Sequence, residues 1–464
     1  METNTSIKKK RTRTVKSHAL VVRDKDGNLR EILPTDTLWY LLYIASPPHN
    51  KRLMDQFRQR FRLPYDRFIE LTEELIQHPL FERYTCTDAT GKESSDIKLL
   101  LLGALRYIGR AWTFDDVAEA NGISIDTNRE FMYIFLEYGS TVLYKKYVID
   151  EFSTVSVKEK ENLFRLAGFN GCIGSCDATH VAMLSCPFWA QNENKGYKLN
   201  CPSRTYNVTV DHSRKVLGTT FGHPATWNDK TIILFDSLVT SVKDGYVPDD
   251  FEFTLKEYDT DGNVVDIIYK GVWFMVDNGY LAWSCTVPPI KNATRYNAIR
   301  FSEWLESMRK DVECFFGILK GRFRILRYGY RFHSIYRCDQ LFVTCCALHN
   351  YLLMSDGLDK NWDSGGKSVW EKEYQNSKDE GEIIGTPFAI QRLNSLNAKK
   401  SERAFSSQQA NTKSIANQCK KCTVDGKRIV SSMSLSLFQQ RLIEHFDICF
   451  KNNDIAWPKH MKKP

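Results

Sequence analysis

Three acidic residues occupy positions from which carboxylates can bind metal ions. Asp177 lies in GSCDATHVA, a small and apolar run that predicts a strand, and Asp277 directly follows the buried run VWFMV. Reactive groups of open α/β sheets collect at such carboxyl ends of strands. Glu313 lies beside the apolar stripe of a predicted long helix, with 35 residues between it and Asp277. If the three carboxylates converge, a cation must offset their repulsion, and hard oxygen ligands suit Mg²⁺ or Mn²⁺.

Two such ions can carry out phosphodiester chemistry. Held about 3.5–4 Å apart, they activate a water or a 3′-hydroxyl and stabilise the leaving oxygen. The sequence therefore predicts a site for two divalent ions, with Asp177, Asp277 and Glu313 as both catalytic residues and metal ligands. Any one of these acids alone is better explained as a surface helix acid or a strand-end cap, so the prediction depends on the set. We expect His180 and Asp229 in supporting roles, although a hydrogen-bonded core histidine and a helix N-cap explain them equally well.

Positive charge is concentrated in three stretches, although the net charge of the chain is only +8. Residues 1–16, 50–67 and 314–338 each contain six Lys or Arg, against one, two and no acidic residues. Such a distribution indicates a polyanionic partner, and we expect double-stranded DNA. KGRFRILRYGYRF, which follows Glu313, interleaves aromatic and basic side chains as strand-binding surfaces do. The residues expected to contact DNA are Arg309, Lys320, Arg322, Arg324 and Arg327.

Composition and periodicity divide the chain into four regions. They are a basic, disordered arm at 1–35, a helical domain at 36–168, a mixed α/β domain at 169–355, and a polar, partly disordered region at 356–464 that ends in an amphipathic helix. In the helical domain, 114–120 and 125–138 predict two helices around the turn NGIS, which is helix-turn-helix spacing and a weak signal of DNA contact.

The mixed α/β domain has a strand-rich first half and a helical second half. The elements we predict are a hairpin around Asp211–Arg214, a helix at 229–242, strands at 252–276 around DTDGN, one long helix at 301–328, a helix at 338–354 and, near the chain's end, a helix at 434–452. Strands followed by helices of this kind describe one mixed α/β domain.

Several blocks of this domain resemble the PIF/Harbinger superfamily of transposases, the DDE-superfamily endonucleases. DATHV is similar to the family's DGTHI, with Ala178 in place of Gly, and VDNGYL is similar to DSGY, with Asn278 in place of Ser. WNDKTIILFDSL resembles the block after the family's central hairpin, with Asp229 at its acid. RKDVECFFGILKGRFRIL is the most specific match, and CCALHN resembles a helix motif downstream of it. The resemblance covers about residues 50 to 355.

This resemblance implies both a fold and a mechanism. The fold class is α/β, with an RNase H-like mixed-sheet core behind an all-α N-terminal domain, and the catalytic positions are Asp177, Asp277 and Glu313. The enzyme would bind the terminal inverted repeats of a transposon, cut with metal-activated water, and join the freed 3′-hydroxyl to target DNA without a covalent protein intermediate. Family members often depend on a second, Myb-like DNA-binding protein. We also expect a homo-oligomer, and the intact triad favours a working enzyme.

Composition restricts where the protein acts. Hydrophobic residues at 42% and charged residues at 26% are typical of soluble globular proteins. The longest apolar-rich uncharged run, Gln340–Ser355, is shorter than a membrane-spanning helix, and the polar N-terminus lacks the apolar segment of a secretory signal. Thirteen cysteines suit reduced thiols. With KKKRTRTVK as an import signal or basic arm, we expect a nuclear protein without membrane contact.

Three alternatives stay open at this stage. A host-recruited descendant would bind DNA or chromatin without transposition, and a nuclease of the same fold would act on RNA or on RNA–DNA hybrids. A zinc site is a separate alternative. Its four ligands would be Cys419, Cys422, His445 and Cys449, although the last two lie in an apolar helical pattern typical of packing.

Overall fold

The computed structural model describes residues 21–23, 27, 29–87, 94–149, 154–247, 250–358, 423–424 and 426–457. The basic cluster within residues 1–16 and the CxxC pair Cys419 and Cys422 lie outside the described residues. The chain divides into two compact units, Met1–Phe135 and Leu136–Pro464.

The first unit consists of helices and one short hairpin. Its elements are β1 (Val21–Arg23), β2 (Leu29–Glu31), α1 (Leu38–Tyr40), α2 (Lys51–Phe61), α3 (Tyr65–Gln77), α4 (Ile97–Arg110), α5 (Phe114–Asn121) and α6 (Ile125–Tyr138), the last continuing past the division. Aromatic side chains form much of the core, with the Phe57 ring 4.8 Å from Phe61 and 5.3 Å from Phe68 between centroids.

The two helices predicted at 114–120 and 125–138 are present as α5 and α6. Gly122 ends α5 with φ +68°, a left-handed conformation that glycine adopts readily. A buried amide pair holds the two helices together, since Asn121 Nδ2 donates to Asn128 Oδ1 across 2.8 Å. The geometry fits a packed helix pair as well as a DNA-reading one.

The second unit is a mixed α/β domain, as predicted. Its elements are α7 (Thr154–Leu166), β3 (Cys172–Ala182), α8 (Gln191–Asn194), β4 (Ser203–Val210), β5 (Val216–Thr219), β6 (His223–Pro224), α9 (Asp229–Ile232), α10 (Ser237–Lys243), β7 (Glu252–Tyr258), β8 (Val264–Lys270), β9 (Trp273–Met275), β10 (Thr286–Val287), α11 (Tyr296–Arg322), α12 (Ile325–Tyr328), α13 (Ile335–Ser355), β11 (Thr423–Val424), β12 (Lys427–Ile429) and α14 (Leu435–Lys451).

The main sheet has six strands, in the order β10-β9-β3-β4-β5 with β6 also paired to β4. β3 is its central strand, antiparallel to β4 and parallel to β9, which is in turn parallel to β10. The predicted hairpin is β4–β5, and its turn contains Arg214 at φ +65°. One side of the sheet is thus antiparallel and the other parallel.

This unit begins earlier than the boundary expected between residues 168 and 169. The segment after Leu136 packs on α13 so closely that a Cβ at Gly139 would lie 2.4 Å from Thr344. Asn350 of α13 also donates to the Tyr147 carbonyl across 2.8 Å. The described helical residues from 136 to 149, together with α7, are therefore part of the α/β domain.

A second sheet, β11-β12-β8-β7, joins the end of the chain to the domain core. The predicted hairpin around DTDGN is β7–β8, and β12 adds to β8 in parallel. The predicted final helix is confirmed as α14, and its Phe446 ring packs 5.4 Å from Phe169 and 5.8 Å from Phe301. The residues from 426 to 457 are thus part of the folded domain, whereas we placed residues 426–432 in a polar, partly disordered segment.

Two predicted helices are broken in the structure. The segment 229–242 forms α9 and α10, because the Asp236 side chain caps α10 by accepting from Val239 N–H across 3.0 Å. The long helix predicted to reach residue 328 ends at Arg322, since Phe323 leaves helical geometry, and α12 follows. No helix within the described ranges is both long enough and apolar enough to span a bilayer.

Candidate active site

Parallel pairing of β3 with β9 places Asp177 beside Asp277. Ser175 pairs with Met275, and each aspartate lies two residues further along its own strand direction. Residues two apart on a strand share a face, so both carboxylates leave the sheet on the same side. The structure therefore brings these two predicted site residues together at the end of β9.

Asp229 approaches the same place from α9. Its Oδ2 and the Oδ1 of Asp277 both lie 2.9 Å from the point where a Cβ on Gly279 would stand. The Gly279 N–H also donates to Asp277 Oδ1 across 2.7 Å. The N-cap of α9 is Asn228, whose side chain accepts from Thr231 N–H, so the cap role suggested for Asp229 is wrong. Its carboxylate is left to face Asp277.

Glu313 is joined to Asp177 through a shared arginine. Arg309 Nη1 lies 3.3 Å from Asp177 Oδ2, and its Nη2 lies 3.0 Å from Glu313 Oε1. Glu306 accepts from the same guanidinium across 2.8 Å. The Arg309 side chain is 7% exposed and that of Glu313 is 52% exposed. The third predicted acid thus lies at the edge of the cluster, held by a buried cation.

Burial and neighbouring carboxylates raise the pKa of two acids in the cluster. Burial raises the pKa of Asp177 to about 6, against the effect of Arg309 and the Ala178 N–H, and the charges of Asp277 and Asp229 add to the rise. Burial also raises the pKa of Asp229, Lys198 opposes that rise, and Asp277 adds to it. Three carboxylates close enough to influence one another favour a further cation.

The geometry and the donor atoms of the cluster decide whether it fits the divalent ions that the sequence predicts. Among the described residues, no three His, Cys, Asp or Glu side chains stand in an arrangement that would hold a metal ion. The donor chemistry nevertheless fits, because Asp177, Asp277 and Asp229 offer oxygen ligands whose mutual repulsion a divalent ion would relieve. The obstacle is Arg309, which contacts both Asp177 and Glu313.

His180 supports the strand end rather than the acidic cluster. It lies three residues after Asp177, and odd spacing along a strand puts its ring on the other face of β3. Its Nδ1 is hydrogen-bonded to Thr205 Oγ1 across 2.9 Å. Burial lowers its pKa to about 3, and Lys198 and Lys320 add to this. A neutral, hydrogen-bonded histidine of this kind orders β3 and β4.

A buried amide, which the sequence analysis did not single out, organises the sheet behind the carboxylates. Asn207 of β4 pairs with Ala178, the neighbour of Asp177. Its Nδ2 donates to Asp236 Oδ2 across 2.7 Å, and its Oδ1 accepts from the Tyr280 hydroxyl across 2.7 Å. Asn207 thus ties β3, the cap of α10 and the segment after Asp277 into one network. The sequence does contain a signal of this role, namely the polar Asn207 within the β-branched strand run RTYNVTV.

The helix that carries Glu313 is anchored by a buried acid on its other side. Asp311 Oδ2 lies 2.5 Å from His212 Nδ1, and its Oδ1 lies 3.1 Å from Arg214. Both partners belong to the turn between β4 and β5. Because Asp311 and Glu313 lie on opposite sides of α11, this anchor directs Arg309 and Glu313 toward the sheet's carboxylates.

Part of the chain matches a known protein family. A family model described as plant transposon protein matches residues 146–360. Over these residues the chain is similar to plant transposon proteins. The matched stretch contains all four acids, namely Asp177, Asp229, Asp277 and Glu313. Comparisons with curated proteins and with solved structures give no match.

The matched stretch also includes CCALHN, which holds α13 to the edge of the main sheet. Asn350 accepts from Val216 N–H and donates to the Val216 carbonyl, both across 2.8 Å, and so pairs with β5 as a strand would. His349 Nε2 lies 3.0 Å from the Arg214 carbonyl oxygen. The motif therefore packs α13 against β5.

The five residues expected to contact DNA have different surroundings. Arg309 is bound to carboxylates, Lys320 Nζ donates to the His180 carbonyl across 2.9 Å, and Arg322 is buried beside His349. Arg324 is half-buried and Arg327 is exposed. Of the five, Arg327 is the residue exposed enough to contact a phosphate. Arg331 of the same segment is exposed as well.

The first unit contains a cluster of arginines that the basic stretch 50–67 indicates only in part. Arg106 Nη1 donates to the Arg60 carbonyl across 3.0 Å, and its guanidinium lies 4.1 Å from the centre of the Trp112 ring. Burial lowers the pKa of Arg106 to about 10, and the charges of Arg110, Arg60 and Arg62 add to this. The basic stretch 50–67 thus gains two further arginines from α4.

The described half of the alternative zinc site is a packing pair. His445 Nε2 lies 3.6 Å from Cys449 Sγ, and its Nδ1 accepts from Lys256 N–H across 2.9 Å. His445 therefore satisfies a backbone donor of β7, which explains why it is buried.

Proposed function

We propose that this protein is a divalent-metal-dependent DNA endonuclease that acts as a transposase of the PIF/Harbinger type. The observation that carries the proposal is the convergence of Asp177, Asp277 and Asp229, with Glu313 joined through Arg309, inside the stretch that matches plant transposon proteins. The mixed sheet, antiparallel on one side of β3 and parallel on the other, supports an RNase H-like core.

Asp177, Asp277 and Glu313 would hold the metal, with Asp229 as an additional carboxylate. Bound divalent ions supply an activated water and stabilise the leaving oxygen of the phosphodiester. Asp277 is kept in place by the Gly279 N–H, and Asp229 faces it across the space that Gly279 leaves open. Arg309 would move from Asp177 or Glu313 to the DNA phosphate that enters, since the same guanidinium binds phosphates as well as carboxylates.

The substrate and partners follow from the same proposal. The substrate would be double-stranded DNA, first at the terminal inverted repeats of a transposon and then at a target site. The partners would be a Myb-like protein and a second copy of the chain, and the reaction would take place in the nucleus. The exposed Arg327 and Arg331 supply positive charge toward phosphates.

Nicking of supercoiled plasmid DNA by the purified protein tests this function. We expect nicking with Mg²⁺ or Mn²⁺, and a loss of at least about a hundredfold in Asp277→Asn and in Glu313→Gln, because either change removes a ligand. Asp244→Asn is the matched control, since Asp244 is an exposed carboxylate paired with Lys243. Equal nicking by all three variants would contradict the assignment. Cutting of an RNA–DNA hybrid instead of duplex DNA would show that the substrate is such a hybrid.

A second function is favoured by Arg309 itself. A guanidinium already bound to Asp177 and Glu313 neutralises much of the cluster without metal. In a host-recruited DNA- or chromatin-binding protein, this arrangement would persist and no cutting would follow. Binding of duplex DNA without nicking, in both metals and with a Myb-like partner added, would support this second function.

A further inference from the structure

The segment between β3 and β4 exposes three aromatic side chains. We call residues 184–198 the aromatic loop. Phe188 is 90% exposed, Trp189 75% and Tyr197 80%. Leu184, where the loop begins, is exposed as well. Large apolar side chains gathered on one surface segment mark an interaction site.

The aromatic loop is fixed to the segment that leads to Asp229. The Glu193 carbonyl accepts from Thr226 N–H across 3.3 Å and from its Oγ1 across 2.9 Å. Gly196 approaches the chain so closely that a Cβ there would lie 2.2 Å from the Ala225 carbonyl oxygen. Inside the loop, the buried Asn194 donates to the Ala190 carbonyl across 2.9 Å. The aromatic rings are therefore displayed by an anchored backbone.

Positive charge surrounds the loop at both ends. Leu184 N–H donates to the Tyr330 carbonyl across 2.8 Å, which places the loop's start against the basic segment with the exposed Arg327 and Arg331. At the other end, Lys198 is close enough to Asp229 and His180 to influence both. Exposed aromatic rings between cations, next to a phosphodiester-cutting site, match the surface of a single nucleic-acid strand.

We propose that the aromatic loop stacks on unpaired bases of the DNA strand held at the acidic cluster. The inference rests on the proposed function and names the form of DNA that the site selects. Paired and stacked bases hide their faces from a protein, whereas a bubble, gap or frayed end offers them to Phe188, Trp189 and Tyr197. Arg327, Arg331 and Lys198 would contact the phosphates of the same strand.

Binding of two DNA probes in EDTA tests the inference without cleavage. One probe is a fluorescein-labelled duplex, and the other is the same duplex with a short internal bubble of unpaired bases. The wild-type protein should bind the bubble more tightly in fluorescence anisotropy. The double variant Phe188→Ala/Trp189→Ala should lose about tenfold in affinity for the bubble while its affinity for the duplex stays the same, as expected from loss of base stacking.

Two further variants separate stacking from loss of structure. Phe188→Tyr/Trp189→Phe keeps aromatic faces and should keep the preference for the bubble. Tyr296→Ala removes an aromatic side chain that is 74% exposed at the start of α11, outside the loop, and should bind both probes as the wild type does. Thermal unfolding of each variant checks that the domain is intact.

The outcomes distinguish this inference from the proposed function. A double variant that retains the bubble preference overturns the inference, and so does one whose oligomeric state changes while both DNA affinities stay the same, because the loop is then a protein contact. A chain that never nicks DNA, but whose bubble preference disappears in the double variant, retains the inference and loses the catalytic proposal. If nicking depends on Asp277 but the wild type shows no preference for the bubble, the catalytic proposal is retained and the inference is lost.

Discussion

The Arg309 guanidinium lies 3.3 Å from the Asp177 carboxylate, although 131 residues separate them along the chain. The same side chain binds Glu313 one helical turn away, so a single cation links the strand acid to the helix acid. A divalent ion that binds Asp177 and Glu313 must compete with this guanidinium. Under the proposed function, this guanidinium would therefore limit how strongly the cluster binds metal.

Replacing Arg309 with Gln should make the protein depend on metal for its stability. Breaking a buried ion pair costs about 3–5 kcal/mol, because the remaining carboxylates are left unpaired. We expect a lower Tm in EDTA and a larger rise in Tm on adding Mn²⁺ than in the wild type. Lys310→Gln is the control, since Lys310 is the exposed neighbour on α11. An unchanged response to Mn²⁺ would show that Arg309 does not compete for the metal-binding carboxylates.

Stability of the metal-free protein should depend on the ionisation of Asp177. Its pKa is about 6 in the folded state, above the ordinary value of 3.8, so the folded state holds this proton more tightly than the unfolded state. Stability is therefore lost as pH rises from about 4 to about 6. Asp177→Asn should raise the Tm by a few degrees at pH 7 in EDTA, corresponding to at most about 3 kcal/mol, and change it little near pH 3.5.

Thermal unfolding across this pH range measures the effect, with Asp244→Asn as the exposed control. A gain in Asp177→Asn that is the same at every pH would mean that the ionised carboxylate carries no penalty. A loss at pH 7 would mean that its attraction to Arg309 outweighs burial.

Gly279 should be intolerant of any side chain. A Cβ there would stand 2.9 Å from one oxygen of Asp229 and 2.9 Å from one of Asp277, closer than carbon and oxygen pack. Gly279→Ala should separate the two carboxylates and reduce nicking by about a hundredfold, as misplacement of reacting groups by about 1 Å does. The Mn²⁺-induced rise in Tm should fall with it.

Gly317→Ala provides the comparison, because no atom outside the backbone of its own helix lies within 4 Å of the added Cβ. In mid-helix this exchange should stabilise the protein by about 0.5–1 kcal/mol and leave nicking intact. If Gly279→Ala nicks DNA as well as the wild type does, the close approach of Asp229 to Asp277 is irrelevant to the reaction.

Phe446 should be as important to the domain as any residue of the main sheet. Its side chain is fully buried against Phe169, Phe301 and Trp304. Phe446→Ala should lower the free energy of unfolding by about 3–5 kcal/mol in a urea titration. Gln440→Ala, on the exposed face of the same helix, should change it by less than about 0.5 kcal/mol. Equal midpoints for the two variants would place α14 outside the cooperative core.

Much of both sheets of the second unit could be predicted from local sequence patterns. Alternating apolar residues and turn signals located both hairpins, and the run VWFMV placed Asp277 at a strand's end. The break between α9 and α10 was missed, because the residue that caps α10 is also held by a contact from outside the segment. Asp236 caps α10 while held by Asn207, which lies 29 residues earlier in the chain, and helical periodicity alone contains no sign of that contact.

The role of Arg309 shows the same limit at the site. Its spacing of three from Glu306 and four from Glu313 is visible in the sequence and favours ion pairs on one helix face. Its contact with Asp177 depends on how α11 crosses β3, which no local pattern encodes. Arg309 was therefore expected at a phosphate, whereas it contacts three carboxylates.

The parallel pairing of β12 with β8 has a consequence for the protein's synthesis. Residues 428 and 429 pair with residues 269 and 270, and α14 then closes over the core that supports Asp277. When the ribosome has translated all four acids, the residues that complete this core have not yet been synthesised. We therefore expect the acidic cluster to form late, after translation has passed residue 446.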